Sequence, residues 1–284
     1  MTTSAQTASP PSRALPGPAT AQPRASASRR ALSALLRSRL GVGTLAIVVA
    51  VGVWQLVGAL DLISVEEIGS PSGAVSAGWE LITTGQFFTA ALVSLEGFAL
   101  GMAISVLAGV PLGLAMGWNT VVRRSTEPVL TALYVTPYLA LLPLLLVLFG
   151  IGRSLSVAVA VFAAVIPIVI NVMAGIAAVD PVLIRVGRSL GASPLQLFSR
   201  VLVPAAVPSI AIGVRLGVGR AILGVIVAEM YVTVGGLGQL VTLYGSTYRI
   251  DYIVFLVLVI GLFGYLLSVL MAQLETRLSK WRSQ

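Results

Sequence analysis

Residues 185–204 read RVGRSLGASPLQLFSRVLVP, and this stretch decides how the rest of the chain is read. It interrupts a succession of apolar runs with two glycines, two prolines and three arginines. Asp180-Pro181, just before it, and Ser193-Pro194, within it, each place a good N-cap residue ahead of a proline at the first helical position. Two helix starts are thus written close together. Gly191, after Leu190, suits the left-handed residue that ends the first helix. The second is expected from Pro194 to about Leu202, with Leu195, Phe198, Val201 and Leu202 as its apolar face, before Pro204 and Pro208 turn the chain back. Spacing alone leaves open whether this helical hairpin is a docking surface or an amphipathic connector.

The surroundings are membrane-like. Of the 284 residues, 57% are hydrophobic and 10% charged, far outside soluble globular usage. The apolar runs are long enough to cross a hydrocarbon core of roughly 30 Å as helices, and they lack the alternation of a β-barrel. The fold class is therefore an all-α membrane protein. Cysteine and histidine are absent, which removes thiol and imidazole chemistry and the usual zinc and haem ligands. The only lysine is Lys280, with no glycine-rich loop before it, so a Walker A nucleotide site is excluded as well.

Residues 1–28 are rich in Ala, Ser, Thr and Pro and read as a disordered tail. Residues 29–41 set leucines on one helical face and arginines on the other, as an amphipathic interfacial helix does. Ser28-Arg29-Arg30 resembles a twin-arginine signal, yet the apolar run after it is too long and offers no small-x-small site, so no cleavage is expected. The transmembrane domain then occupies 42–284, with six spans expected near 42–61, 90–116, 128–150, 156–178, 207–230 and 253–273 and the hairpin at 180–204. The N-tail carries six Lys/Arg, the 117–127 loop two, the 179–206 loop three and the C-tail three, whereas the alternate loops hold only Arg153 and Arg249. By the positive-inside rule both termini and the hairpin are expected on the cytoplasmic side. The net charge of +8 follows from topology and anionic lipid and calls for no nucleic acid.

Within the spans, Gly97, Gly101, Ser105, Gly109, Gly113 and Gly117 recur every fourth residue, a stripe suited to close helix packing rather than to a site. Pro111, Pro137, Pro143 and Pro167 permit bends. Glu96, Arg215, Arg220 and Glu229 are intramembrane charges, which are costly unless paired or wet. Counting rise along the helices puts Glu96 and Arg220 at similar depth, so they are expected to pair. Arg215 and Glu229 suit ties to neighbouring helices; Tyr134, Thr136, Tyr138 and Asn171, with Glu229, are the candidate lining of a path.

The permeases of ABC importers share a loop signature of E-A-A, three residues, Gly, nine residues and I-x-L-P. Arg185-Val186-Gly187, Gly191 and Val201-Leu202-Val203-Pro204 resemble it with the same spacing. SPS at 70–72, Arg123-Arg124 with Glu127-Pro128, FGIG at 149–152, RSLGAS at 188–193, GVRLGVGRAILGVIVAEM at 213–230 and GGLG at 235–238 extend the resemblance over residues 65–275. It is nearest to the nitrate, sulfonate and taurine group of type I importer permeases. That resemblance implies a homodimer in a bacterial inner membrane, two ABC ATPase subunits that bind ATP and Mg, an extracytoplasmic solute-binding protein, and no cofactor or catalysis in this chain. It also implies that Arg185, Arg188, Leu190, Gly191, Ser193, Pro194, Leu195, Phe198 and Pro204 dock the ATPase. The signature's acid is here Arg185, which implies a partner with an acidic groove, and Gly97 stands where the group often has Arg.

The solute implied is a small organic or inorganic anion, such as a taurine-like sulfonate, nitrate or an aromatic carboxylate, with thiamine-precursor pyrimidines also allowed by the resemblance. A stand-alone secondary transporter or channel is the alternative, but it calls for inverted repeats or matched discontinuous helices, which the sequence does not display. A membrane enzyme would need acid, base or metal groups gathered at one depth, and the intramembrane acids are few and scattered.

Overall fold

Inside hydrocarbon a long apolar run must satisfy its own backbone, which selects helices. In the computed structural model, which describes residues 39–60, 68–231 and 235–279, every regular element is helical. The expected tail at 1–28 lies outside the described residues. So does the expected amphipathic helix at 29–41, except for 39–41, which begin α1 (Arg39–Ala59). The chain divides after Val53, and the unit Trp54–Gln284 holds the remaining helices.

These are α2 (Pro71–Thr83), α3 (Gln86–Trp118), α4 (Thr120–Val135), a 3₁₀ turn at Tyr138–Leu141, α5 (Leu142–Phe149) and α6 (Arg153–Ala177). After them come α7 (Pro181–Ser189), α8 (Pro194–Leu197), a π-helical turn at Phe198–Leu202, α9 (Val203–Tyr231), α10 (Leu237–Ser246) and α11 (Ile250–Ser279). Among the described residues five helices are long and apolar enough to cross a membrane, and counting the bent pair as one span gives a sixth.

The glycine stripe of α3 explains the centre of the fold. A Cβ at Gly101 would meet Ala160, one at Gly113 would meet Val172, and one at Gly117 would meet Ile176. Stripped to backbone, α3 therefore lies directly on α6. On its other side α6 packs against α9 through Ala160, Ala164, Ala221 and Val225, all essentially buried. Small residues thus line both seams, and α6 is the most enclosed span among the described residues. A second cluster joins α2, α3, α10 and α11 through Leu81, Ala90, Leu237, Tyr244, Tyr252 and Leu256.

Two expectations are corrected here. The third span, expected as one crossing over 128–150, is broken: α4 and the Tyr138–Phe149 segment meet at 93°. Pro137 has no N–H to continue the ladder and forces its predecessor out of the helical region, so Thr136 is extended at φ −69°, ψ 124°. Pro143 then sits in the first turn of α5, where its missing donor costs nothing. The fifth span, expected to begin after a turn at Pro204 and Pro208, instead runs unbroken over Pro194–Tyr231. The π-helical turn at Phe198–Leu202 shifts the hydrogen-bond register just before Pro204, so the prolines are absorbed without a break.

Candidate functional site

Two features stand out, a hairpin at one end of the long helix and a cavity beside its middle. The hairpin is capped as its sequence requires. Asp180 Oδ1 accepts from the Val182 N–H at 2.8 Å. Ser193 Oγ accepts from the Gln196 N–H at 3.3 Å while Gln196 Oε1 accepts from the Ser193 N–H at 2.8 Å, a complete capping box. Caps of this kind stabilise a helix start by about 0.5–2 kcal/mol each. Gly191 turns the chain at φ +75°, a region that side chains disfavour. The two arms close because Leu197, 3% exposed, lies over Gly187, where any Cβ would collide with its Cδ2. Glycine stands here where the signature has alanine, whose Cβ would require the Leu197 side chain to shift.

The residues assigned to docking fall into two groups. Arg185, Arg188, Leu190, Gly191, Ser193, Pro194 and Leu195 are exposed, and Leu190 and Leu195 are 81% and 75% exposed although apolar. Phe198 does not join them. It turns inward onto Trp118, ring centroids 5.5 Å apart, and packs into the cluster of Ile176, Val179, Leu202 and Ala206 that roots the hairpin. Pro204 likewise lies in the helix shaft rather than on the tip.

The cavity lies between α4, the 3₁₀ turn, α6 and α9 and has a volume of about 570 Å³. Tyr134, Thr136, Tyr138 and Asn171 all line it, brought together by the break at Pro137 and by the α6–α9 seam. Arg220 joins them. Two of the polar groups are held back to helix carbonyls: Asn171 Nδ2 donates to Pro167 O and Thr136 Oγ1 to Ala132 O, each at 2.8 Å.

Glu229 is elsewhere. Only 1% exposed, its Oε2 accepts from Ser94 Oγ at 2.8 Å and from the Gly238 N–H at 3.0 Å, while Ser94 Oγ accepts from the Leu237 N–H at 2.8 Å. A carboxylate from α9 and a hydroxyl from α3 therefore cap the first turn of α10, whose preceding Gly236 at φ +105° carries no side-chain cap. That corrects its placement on the path. The expected Glu96–Arg220 pair is also corrected: Glu96 forms an ion pair with Arg153 at the start of α6. Gly97 packs level with Ser156 and Val225, more than a helical turn beyond Arg220, so Glu96 lies at a different depth from Arg220 and close to the start of α6 where Arg153 stands. Arg215 pairs with Glu275 on α11 at 3.0 Å, as a tie to a neighbouring helix. Among the described residues no group of His, Cys, Asp or Glu could hold a metal ion.

Known proteins share this organisation. Residues 109–283 match the family described as binding-protein-dependent transport system inner membrane component. The chain is 32% identical over 250 residues to the taurine transport system permease protein TauC of Escherichia coli (strain K12), covering 86% of this chain and 90% of that one. It is 30% identical over 241 residues to the putative aliphatic sulfonates transport permease protein SsuC of Bacillus subtilis (strain 168), covering 85% and 87%. Among solved structures it superposes on the MetNI methionine ABC transporter in an inward-facing conformation, with a TM-score of 0.63, 17% identity and coverage of 70% and 98%. An amino acid ABC transporter solved with histidines gives a TM-score of 0.55 at 20% identity, covering 69% and 94%. With the matched residues running from the glycine stripe through the hairpin to α11, the chain belongs to the binding-protein-dependent inner membrane components, the permease subunits of ABC importers.

Proposed function

We propose that this permease carries a small anionic solute into the cell, driven by a separate ATPase that seats the hairpin at Pro181–Leu202. A second copy of the chain and an external solute-binding protein complete the assembly, ATP and Mg reside on the ATPase, and both termini and the hairpin face the cytoplasm. The anionic cargo is suggested by relatives named for taurine and aliphatic sulfonates.

One observation carries the docking role: the hairpin's exposed tip is continuous with a single helical shaft, Pro194–Tyr231, that reaches the cavity. From Leu197 to Arg220 the shaft extends about 35 Å at 1.5 Å per residue. Exposed Leu190 and Leu195 give a partner apolar anchors, and Arg185 and Arg188 favour an acidic seat. When the ATPase closes on nucleotide it displaces the tip, and the continuous shaft passes that movement to the cavity, a switch between two populations.

The test is co-purification and ATP turnover of the complex in nanodiscs, with Leu195→Glu and Arg185→Glu in the hairpin. Both variants are expected to lose the ATPase or its stimulation by the binding protein, while α11 Gly261→Ala, at a site with nothing within 4 Å, keeps both. Unchanged ATPase binding in the two hairpin variants would reject the docking role.

A further inference from the structure

The intramembrane charges do not balance. Glu96 is taken by Arg153, Glu275 by Arg215, and Glu229 by Ser94 and the start of α10. Arg220 alone among the charges in the middle of the spans has no carboxylate within ion-pairing distance among the described residues. A cation at this depth is expensive unless water or a counter-charge meets it. Arg220 opens into the cavity of about 570 Å³, ample for a small organic molecule.

The groups around it lean the same way. Thr136 and Asn171 spend their donors on helix carbonyls, whereas the hydroxyls of Tyr134 and Tyr138 have no partner among the described residues. Guanidinium and phenol are donors, and the wall carries no acidic side chain. Phe162 adds an apolar face beside them.

We infer that Arg220, with the hydroxyls of Tyr134 and Tyr138, forms an anion-binding site in this cavity for the sulfonate or carboxylate head of a small solute, whose apolar body lies against Phe162. Arg220 presents up to five N–H donors in a planar fork, which matches two oxygens of such a head at once. The inference deepens the import reading, on which it rests for the cavity's access to solute, and it makes Arg220 the group that selects charge along the path.

The chain's lack of cysteine allows a test that needs no knowledge of the natural cargo. Thr136→Cys places one thiol in the cavity wall of the permease in nanodiscs. Its rate of labelling is compared for the anionic 2-sulfonatoethyl methanethiosulfonate and its cationic trimethylammonium counterpart. With Arg220 present the anionic reagent is expected to be favoured, and Arg220→Gln to lower the anionic-to-cationic ratio about ten-fold, as removal of one nearby charge in a partly wet site does. Arg220→Lys retains most of the ratio, and ethanesulfonate, but not choline, slows the labelling. A ratio unchanged by Arg220→Gln overturns the site. So does a failure of ethanesulfonate to protect the Arg220-intact protein, a measurement that stands even if Arg220→Gln misfolds. ATPase co-purification on the same samples reports the import reading separately: its loss with the labelling pattern intact would reject that reading and leave the anion site standing.

Discussion

Ser94 on α3 and Glu229 on α9 are 135 positions apart in sequence and joined by a 2.8 Å hydrogen bond, and together they cap α10. Removing the carboxylate leaves the buried Gly238 N–H and Ser94 hydroxyl without their acceptor. Unmet buried groups cost about 1–3 kcal/mol each. Glu229→Ala is therefore expected to lower the melting temperature of the purified permease clearly. Glu229→Gln, which keeps an acceptor oxygen, falls between it and the parent. Thermal unfolding followed by size-exclusion chromatography reads both, and equal stability for Ala and parent would refute the capping role.

The α3–α6 seam makes a second prediction. Gly113→Val drives a branched side chain into Val172 and the Val169 carbonyl, whereas Gly219→Val on α9 meets nothing within 4 Å. Overpacking of this kind costs about 1–3 kcal/mol or more. The Gly113 variant is expected to express poorly and aggregate in detergent while the Gly219 variant stays monodisperse. Similar elution profiles for the two would contradict a backbone-tight seam.

A third prediction concerns the turn of the hairpin. Gly191 has open space for a side chain but a φ of +75°, so the penalty of Gly191→Ala is conformational, on the order of 1 kcal/mol. Ser193→Ala removes the capping box at about the same cost. Hydrogen exchange over 181–197 is expected to quicken several-fold in each, with α6 and α9 unaffected. Unaltered exchange in both variants would argue against a rigid hairpin.

At the far end from the hairpin, Tyr252 OH donates to Glu80 Oε2 at 2.5 Å and accepts from Arg249 Nη2 at 2.7 Å, with the Arg249 guanidinium 4.1 Å over the Tyr252 ring. These three residues tie α2 to α11. Tyr252→Phe removes both hydrogen bonds but keeps the ring, so a loss of about 1–2 kcal/mol is expected. Glu80→Gln added to it should cost little more, because the shared contact is already gone. Fully additive losses in a double-mutant cycle would show that the network is not a unit.

Much was legible in the sequence wherever the cause is local. Asp180-Pro181, Ser193-Pro194 and Gly191 encode caps and a turn through backbone chemistry within four residues, and each is found where it is written. The stripe from Gly97 to Gly117 announces close packing because period four survives in any helix. Pro137 was read as a permitted bend, yet the size of the break at that point depends on what the freed turn packs against.

Composition, the repeat of small residues and the loop signature were enough to determine a helical membrane permease of the importer family. Tertiary structure alone decided the partners of its charges and the fate of its prolines. Glu96 chose Arg153 over Arg220, Phe198 turned inward, Glu229 became the cap of a helix that the sequence did not reveal, and Pro204 stayed within an unbroken shaft. The reason is geometric: sequence sets the order of residues along each helix, but the axial offset and the rotation of one helix against another are settled only when neighbouring faces meet.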